Sequence, residues 1–122
     1  MDKLVRKIEI PLARSVIEKA GGVPDINDVD SNYLLDDASN RILKLIYNFE
    51  DVLIQVTDKN EPSILSRYLI DVAKAYSNFY NENKIIVDDK GVQNARVYLT
   101  YAVGKVLKLG ASLLGIEMPD KM

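Results

Sequence analysis

Two polar stripes at helical spacing carry the side chains of this sequence that are best suited to bind a ligand. The first holds two cations and consists of Tyr101, Lys105, Lys108 and Ser112. The second has the same spacing and consists of Arg67, Asp71, Lys74 and Asn78. Residues three and four positions apart share one face of a helix, so the cations of each stripe could contact phosphate groups. The alternative for both stripes is the solvated side of an amphipathic helix.

Several common kinds of reactive and metal-binding site are excluded by the composition. The chain has no cysteine and no histidine, which removes disulfides, thiolate zinc sites and the usual base for a serine or cysteine nucleophile. The acidic segment from Val23 to Asn32 offers calcium-type ligands at the wrong spacing. Counting from Asp28 puts Tyr33 at the required glycine position and Ser39 at the required glutamate position. We predict a solvated loop with helix-capping aspartates, no metal and no cofactor.

The size and charge of the chain limit its organisation and its partners. With 122 residues, 48% of them hydrophobic, it fits one compact domain over residues 1–122. The uncharged apolar stretches are well short of the roughly 20 residues that cross a bilayer, so we expect a cytoplasmic protein with no membrane partner. The net charge of −2 and the pI of about 5.1 argue against nonspecific nucleic-acid binding, and we expect no DNA partner. Specific reading of RNA by a few residues stays open.

Helical periodicity also occurs in the first quarter of the chain, before the helices that carry the two polar stripes. A helix is predicted from Lys3 to Ala20, either kinked at Pro11 or regular from about Ile10 onward. Its apolar stripe consists of Leu4, Ile8, Leu12, Val16 and Ala20. Gly21, Gly22 and Pro24 are typical of a helix end.

Four more helices are predicted, two of which carry the polar stripes. They span Ala38–Phe49, Phe49–Thr57, Glu61–Tyr80 and Gln93–Leu114. Asp36 and Asp37 are predicted to cap the helix that begins at Ala38, and Pro62 suits the first turn of the helix that begins at Glu61. Glycines 104 and 110 within the last helix indicate close helix packing, and Gly115 is predicted to cap it. The fold class is therefore all-α, a bundle of about five helices.

The second half of the chain resembles arginyl-tRNA synthetases in two stretches that occur in the same order. The segment from Glu61 to Tyr80, EPSILSRYLIDVAKAYSNFY, is similar to the family's Glu-Pro, Tyr-Leu and Phe-Tyr pattern. Further matches lie at Ala95, Arg96, Val106, Leu107, Gly110, Leu113, Leu114, Gly115, Ile116, Pro119 and Met122. The resemblance spans roughly residues 32–122. Residues 1–22 resemble the helix that joins the synthetase's catalytic core to this domain, through the segments Ala13–Val16 and Lys19–Gly21.

The resemblance implies a DALR-type helical domain that docks on the anticodon stem-loop of arginine tRNA and reads the loop bases, chiefly the central cytosine. Tyr80 matches the family position whose ring approaches the anticodon, and Met122 matches the family's C-terminal methionine. Arg14 is the nearest candidate for the family's arginine on the first helix. The two stripes would place cations on phosphates, and Arg96 could cap, pair with an acid or contact RNA. Stacking and base-edge hydrogen bonds suit such a loop.

A class I synthetase also needs histidine-containing nucleotide-binding signatures on a parallel sheet, which this sequence lacks. ATP and arginine would bind the missing catalytic domain, so we expect no enzymatic activity from this chain alone. It is either a fragment of the synthetase or a separately encoded DALR protein. Its start at Met1, and Val5 and Ile8 at the positions of the family's Tyr-x-Gln-Tyr tyrosines, favour the second.

A helical protein-interaction module without RNA binding is the alternative function. An exposed apolar patch around Val5, Ile8 and Leu12 would bind a partner chain, a second copy or, in a fragment, the synthetase catalytic domain. The salt dependence of binding distinguishes the two functions, because the affinity of binding through phosphates falls steeply as the salt concentration rises, whereas that of apolar association does not.

Overall fold

A computed structural model describes Val5 and residues 12–117, with side chains as far as Leu114. In that part of the chain there are five α-helices and no strand. The helices are α1 (Ala13–Ala20), α2 (Asp37–Tyr47), α3 (Phe49–Lys59), α4 (Pro62–Glu82) and α5 (Lys90–Glu117). Two short 3-10 helices, Ile26–Asp28 and Ser31–Leu34, lie between α1 and α2. The prediction of an all-α bundle of about five helices is confirmed.

Local hydrogen bonds explain the end of α1 and the loop that follows. Gly21 ends α1 in the left-handed conformation, with φ 87°, and its N–H donates to the carbonyl three residues earlier at 3.1 Å, as expected of a helix-ending glycine. The carboxylates of Asp25 and Asp30 each accept a backbone N–H from two residues ahead at 2.9 Å. The prediction of capping aspartates in this loop is confirmed.

Carboxylates also fix the starts of α2 and α5. Asp36 accepts the backbone N–H of Ser39 at 3.1 Å and its hydroxyl at 2.7 Å. Partial burial raises the pKa of Asp36, but the hydrogen bonds from Ser39 outweigh burial and hold that pKa below its ordinary value. The carboxylate of Asp89 accepts the N–H groups of Gly91 and Val92 at 3.0 and 3.3 Å. This cap explains why α5 begins three residues before the predicted start.

The antiparallel pair α4 and α5 forms the centre of the bundle. The predicted inner face of α4 is buried throughout: Leu65, Leu69, Val72, Ala73, Tyr76 and Phe79. On α5, Ala95, Leu99 and Val106 are buried as predicted, whereas Ala102 and Leu113 are half-buried. Helix α5 also buries Val97, Val103 and Leu107. Its buried face is wider than one stripe because α1 and α4 both pack against it.

The two predicted close-packing glycines of α5 contact different neighbours. A Cβ at Gly104 would lie 3.3 Å from the Cβ of Ala13 in α1. A Cβ at Gly110 would lie 2.5 Å from Cδ2 of Leu69 in α4. Both glycines therefore let another helix approach the backbone of α5, which confirms the prediction of close packing at these positions.

Two predictions from the sequence are wrong. Gly115 does not end the last helix: α5 continues to Glu117, since the preference of glycine for a helix end is a local one that the fold can override. Val5 is not part of an exposed patch, because it is fully buried in the core cluster with Leu12 packed against that cluster. Ile8 lies outside the described residues.

Helix α5 is also long and apolar enough, over Lys90–Leu114, to cross a membrane by length and composition alone. Of its apolar stretch, 44% is buried inside the bundle, where α1, α2 and α4 all pack against it. A core helix of a bundle can be as apolar as a membrane-spanning helix, because its apolar residues face the other helices.

Candidate nucleic-acid interface

A groove of about 830 Å³ runs between α1 and α5 on one side of the bundle. It opens beside Gly104, where α1 approaches the backbone of α5 closely. Its lining combines polar and apolar groups: Ala13, Arg14, Ile17, Glu18, Phe49, Tyr101, Gly104, Lys105, Val106, Lys108, Leu109 and Ser112. The first predicted stripe therefore lies in this groove in full, and Arg14 joins it from α1.

The groove is rimmed by three cations from two helices. Arg14, Lys105 and Lys108 are all exposed, and no ion pair is recorded for any of them within the described part of the chain. The ammonium of Lys105 lies 5.5 Å from the ring centre of Tyr101, within cation–π range. Tyr101 in turn packs edge-on against Tyr98, with ring centres 5.7 Å apart. Within the described residues, no carboxylate pairs with these cations, which suits the binding of an anionic ligand.

The lining of the groove between the cations is apolar. Ile17 and Phe49 are half-buried, and Leu109 is 51% exposed. Phe49 is held in place by stacking on Tyr68, with ring centres 5.7 Å apart. An apolar and aromatic surface beside exposed cations suits single-stranded RNA, whose bases stack while its phosphates contact the cations.

The second predicted stripe lies elsewhere. Arg67, Asp71, Lys74 and Asn78 are exposed along α4, but none of them lines the groove. The α4 face that carries them is opposite the buried residues that pack against α5. Of the two stripes, only the one on α5 lines the groove.

Tyr80 stands apart from the groove, near the end of α4. Its side chain is 40% exposed, and its ring packs against Tyr76 one turn earlier, with centres 6.2 Å apart. One part of the ring is thus supported by the core and the rest is open to solvent. That arrangement leaves Tyr80 able to stack on a base. Met122 lies outside the described residues.

Arg96 contacts the segment that connects α4 to α5. Its Nη1 donates to the carbonyl of Lys84 at 2.6 Å, and its Nε is buried without a hydrogen-bond partner. The side-chain oxygen of Gln93 accepts the backbone N–H of Val87 at 3.1 Å in the same segment. Part of the guanidinium of Arg96 is therefore engaged in fixing this connector.

Glu18 is the charged residue of the groove that the sequence patterns did not single out. It lies one helical turn after Arg14 on α1, and its side chain is exposed. The four-residue offset from Arg14 was the available signal, but it gains meaning only when α1 is placed against α5. Within the described residues, no group of three potential ligand side chains could hold a metal ion.

Comparison with known proteins agrees with this architecture. The model of the DALR anticodon binding domain matches residues 12–122. The chain is 45% identical over 93 residues to the arginine–tRNA ligase of Halothermothrix orenii, which covers 76% of this chain and 16% of that ligase. It is 37% identical over 110 residues to the ligase of Alkaliphilus metalliredigens, covering 90% of this chain and 19% of that one.

A third relative, the arginine–tRNA ligase of Clostridioides difficile, is 33% identical over 108 residues and covers 88% of this chain. The chain thus spans less than a fifth of the length of these relatives, 16% to 19%. No solved structure matches it. Because the family model extends over all five described helices, the chain belongs to the DALR anticodon binding domain family.

Proposed function

We propose that this chain binds the anticodon stem-loop of arginine tRNA and so serves arginyl-tRNA aminoacylation. The observation that supports this most is the convergence of Arg14, Tyr101, Lys105 and Lys108 on one groove. Three of these side chains come from α5 and one from a helix almost 90 residues away in sequence. A ligand with several negative charges and flat apolar surfaces fits this combination, and an unpaired RNA loop has both.

Each part of the groove has its own role in the proposed complex. The cations Lys105, Lys108 and Arg14 contact loop phosphates, which fixes the register of the RNA. Tyr101 and the apolar lining support an unstacked base. The acidic net charge of −2 is compatible with this, because a few placed cations suffice for a loop, whereas nonspecific binding needs a broad basic surface.

Other residues extend the proposed contact beyond the groove. Tyr80 stacks on an anticodon base with its exposed portion, and Met122, which matches the family's C-terminal methionine, also contacts the RNA. Arg67 and Lys74 contact the backbone of the stem. Arg96 contributes mainly by holding the connector that follows α4, through its bond to Lys84.

Catalysis belongs to a different part of the synthetase under this proposal. ATP and arginine bind the catalytic domain, and this chain supplies tRNA binding in the cytoplasm, either joined to that domain or as a separate protein. The similarity to a minor part of each arginine–tRNA ligase supports this division.

Binding to arginine tRNA, measured beside a tRNA changed at the central anticodon base, tests the proposal. We expect the Lys105→Gln/Lys108→Gln variant to bind arginine tRNA more weakly than the unmodified chain. The matched control is Arg41→Gln/Lys44→Gln on α2, which removes two exposed cations at the same spacing outside the groove. Equal binding by both double variants would contradict a role for the groove.

Tyr80→Ala tests the base contact separately. Loss of a stacked base costs about 1–3 kcal/mol, so this variant should lose affinity for the native tRNA and much of its preference over the altered anticodon. Tyr80→Phe keeps the ring and should bind like the unmodified chain. A preference that is equal in all three proteins would show that Tyr80 does not contact the anticodon.

A further inference from the structure

We infer that Glu18 is a specificity-determining residue that accepts a hydrogen bond from the exocyclic amino group of an unpaired cytosine in the groove. This inference rests on the proposed RNA binding. Glu18 lines the same groove as Arg14 and Lys105 and belongs to α1, which forms one of its walls. Its side chain is exposed to the groove and to solvent.

The carboxylate of Glu18 has no partner among the described residues. No hydrogen bond or ion pair to its side chain is recorded there, although three cations line the same groove. A carboxylate offers acceptors and no donors. Beside an RNA backbone it would repel phosphates, so its place in a cationic groove is explained by a donor on the ligand. In RNA those donors are base amino and imino groups and the 2′-hydroxyl.

Base chemistry then defines which ligand fits. Cytosine, adenine and guanine each carry an exocyclic amino group that can donate to a carboxylate. Uracil carries a carbonyl oxygen where cytosine has its amino group, and this oxygen would face the carboxylate as a second acceptor. Ile17 precedes Glu18 on α1, and Leu109 lies across the groove on α5. These apolar side chains can hold the faces of the ring while Glu18 meets its edge.

The probes are the anticodon stem-loop RNA of arginine tRNA and the same RNA with each loop cytosine replaced in turn by uracil. At the position that Glu18 reads, the unmodified chain should bind the cytosine form about 5- to 150-fold more tightly, the discrimination expected of a good side-chain to base contact. Glu18→Gln should bring this ratio close to one, because the amide can turn to accept from cytosine or donate to uracil.

Asp58→Asn is the matched control, because it removes one negative charge from an exposed position on α3 that lies outside the groove and outside both polar stripes. It should leave the cytosine-to-uracil ratio unchanged. If Glu18→Gln and Asp58→Asn raise the affinity for every RNA by the same factor and leave the ratio as it was, Glu18 acts only as a charge and the inference is overturned. Equal binding of all loop variants by the unmodified chain would overturn it as well.

The failure of this inference is distinguishable from failure of the proposed function. If the Lys105→Gln/Lys108→Gln variant binds RNA as tightly as the unmodified chain, the groove is not the RNA site and both ideas fail. If that variant binds weakly but Glu18→Gln keeps the full cytosine preference, RNA binding at the groove stands and only the role of Glu18 is rejected.

Discussion

The phenol oxygen of Tyr76 on α4 and the hydroxyl oxygen of Thr100 on α5 lie 2.8 Å apart inside the bundle. The hydroxyl of Thr100 donates to the carbonyl of Arg96 at 3.0 Å, so the hydrogen between the two side chains comes from Tyr76. Burial raises the pKa of Tyr76 to about 12, so this phenol, which is protonated at neutral pH even at its ordinary pKa of about 10, remains a donor. The two central helices are thus joined by a polar contact in an otherwise apolar interface.

Replacing Thr100 with valine should destabilise the fold more than removing the phenol oxygen. Thr100→Val leaves the buried hydroxyl of Tyr76 without an acceptor, at a cost of about 1–3 kcal/mol. Tyr76→Phe leaves Thr100 still bonded to Arg96 and should cost about 0.5–1.5 kcal/mol. Urea unfolding followed by circular dichroism measures both values. Thr100→Ser keeps the acceptor and is the control, and a Thr100→Val midpoint equal to that of the unmodified chain would show that the contact contributes nothing.

Gly110→Ala should lower the melting temperature because the space at this position is already filled. The added Cβ would lie 2.5 Å from Cδ2 and 2.9 Å from Cδ1 of the fully buried Leu69. Overpacking typically costs about 1–3 kcal/mol and outweighs the gain of about 1 kcal/mol in helix propensity, leaving a net loss of up to about 2 kcal/mol. Gly104→Ala is the comparison, since its Cβ would lie 3.3 Å from that of Ala13. We expect Gly104→Ala to lower the melting temperature clearly less than Gly110→Ala does. A larger decrease for Gly104→Ala would refute this packing explanation.

Asp36 should contribute stability that is lost in acid. Its pKa is below its ordinary value in the folded state, so the folded form holds the proton less tightly than the unfolded form. The contribution is present above the ordinary aspartate pKa of about 4 and disappears as the pH falls through the lowered folded-state value. Asp36→Ala should cost about 1 kcal/mol at neutral pH.

Urea unfolding of Asp36→Ala at pH 7 and at successively lower pH checks this. The difference from the unmodified chain should shrink once Asp36 is protonated. Asp36→Asn retains an acceptor for Ser39 without a titrating charge, so its deficit should be smaller. A deficit of Asp36→Ala that stays constant with pH would mean that the charge of the carboxylate plays no part.

Arg14→Gln should reduce the salt dependence of RNA binding. Each phosphate contact with single-stranded RNA contributes about 0.7 to the slope of the logarithm of affinity against the logarithm of salt. Removing Arg14 should lower this slope by about that amount, whereas Arg41→Gln, an exposed arginine outside the groove, should leave it unchanged. Titration of arginine tRNA at four or five salt concentrations gives the slopes. If Arg14→Gln has the same slope as Arg41→Gln and the unmodified chain, Arg14 does not contact a phosphate.

Much of the helix layout could be predicted because its causes are local. Asp36 caps α2 through a residue three positions ahead, Pro62 starts α4, and Gly21 ends α1 with a positive φ. Each preference depends on side chains within one turn of the helix end. Gly115 shows where this reasoning fails, since α5 stays helical to Glu117 past this local stop signal.

The sequence by itself also determined the membership of the chain in its family and the identity of the cationic stripe on α5. Only the tertiary structure decided that Arg14 and Glu18 lie across a groove from Lys105 and Lys108, while Arg67 and Lys74 do not. Periodicity shows which residues share a face of one helix, but the loop after Gly21 could place α1 against several faces of the bundle. That choice follows from packing between residues about 90 positions apart, where Gly104 leaves room for Ala13.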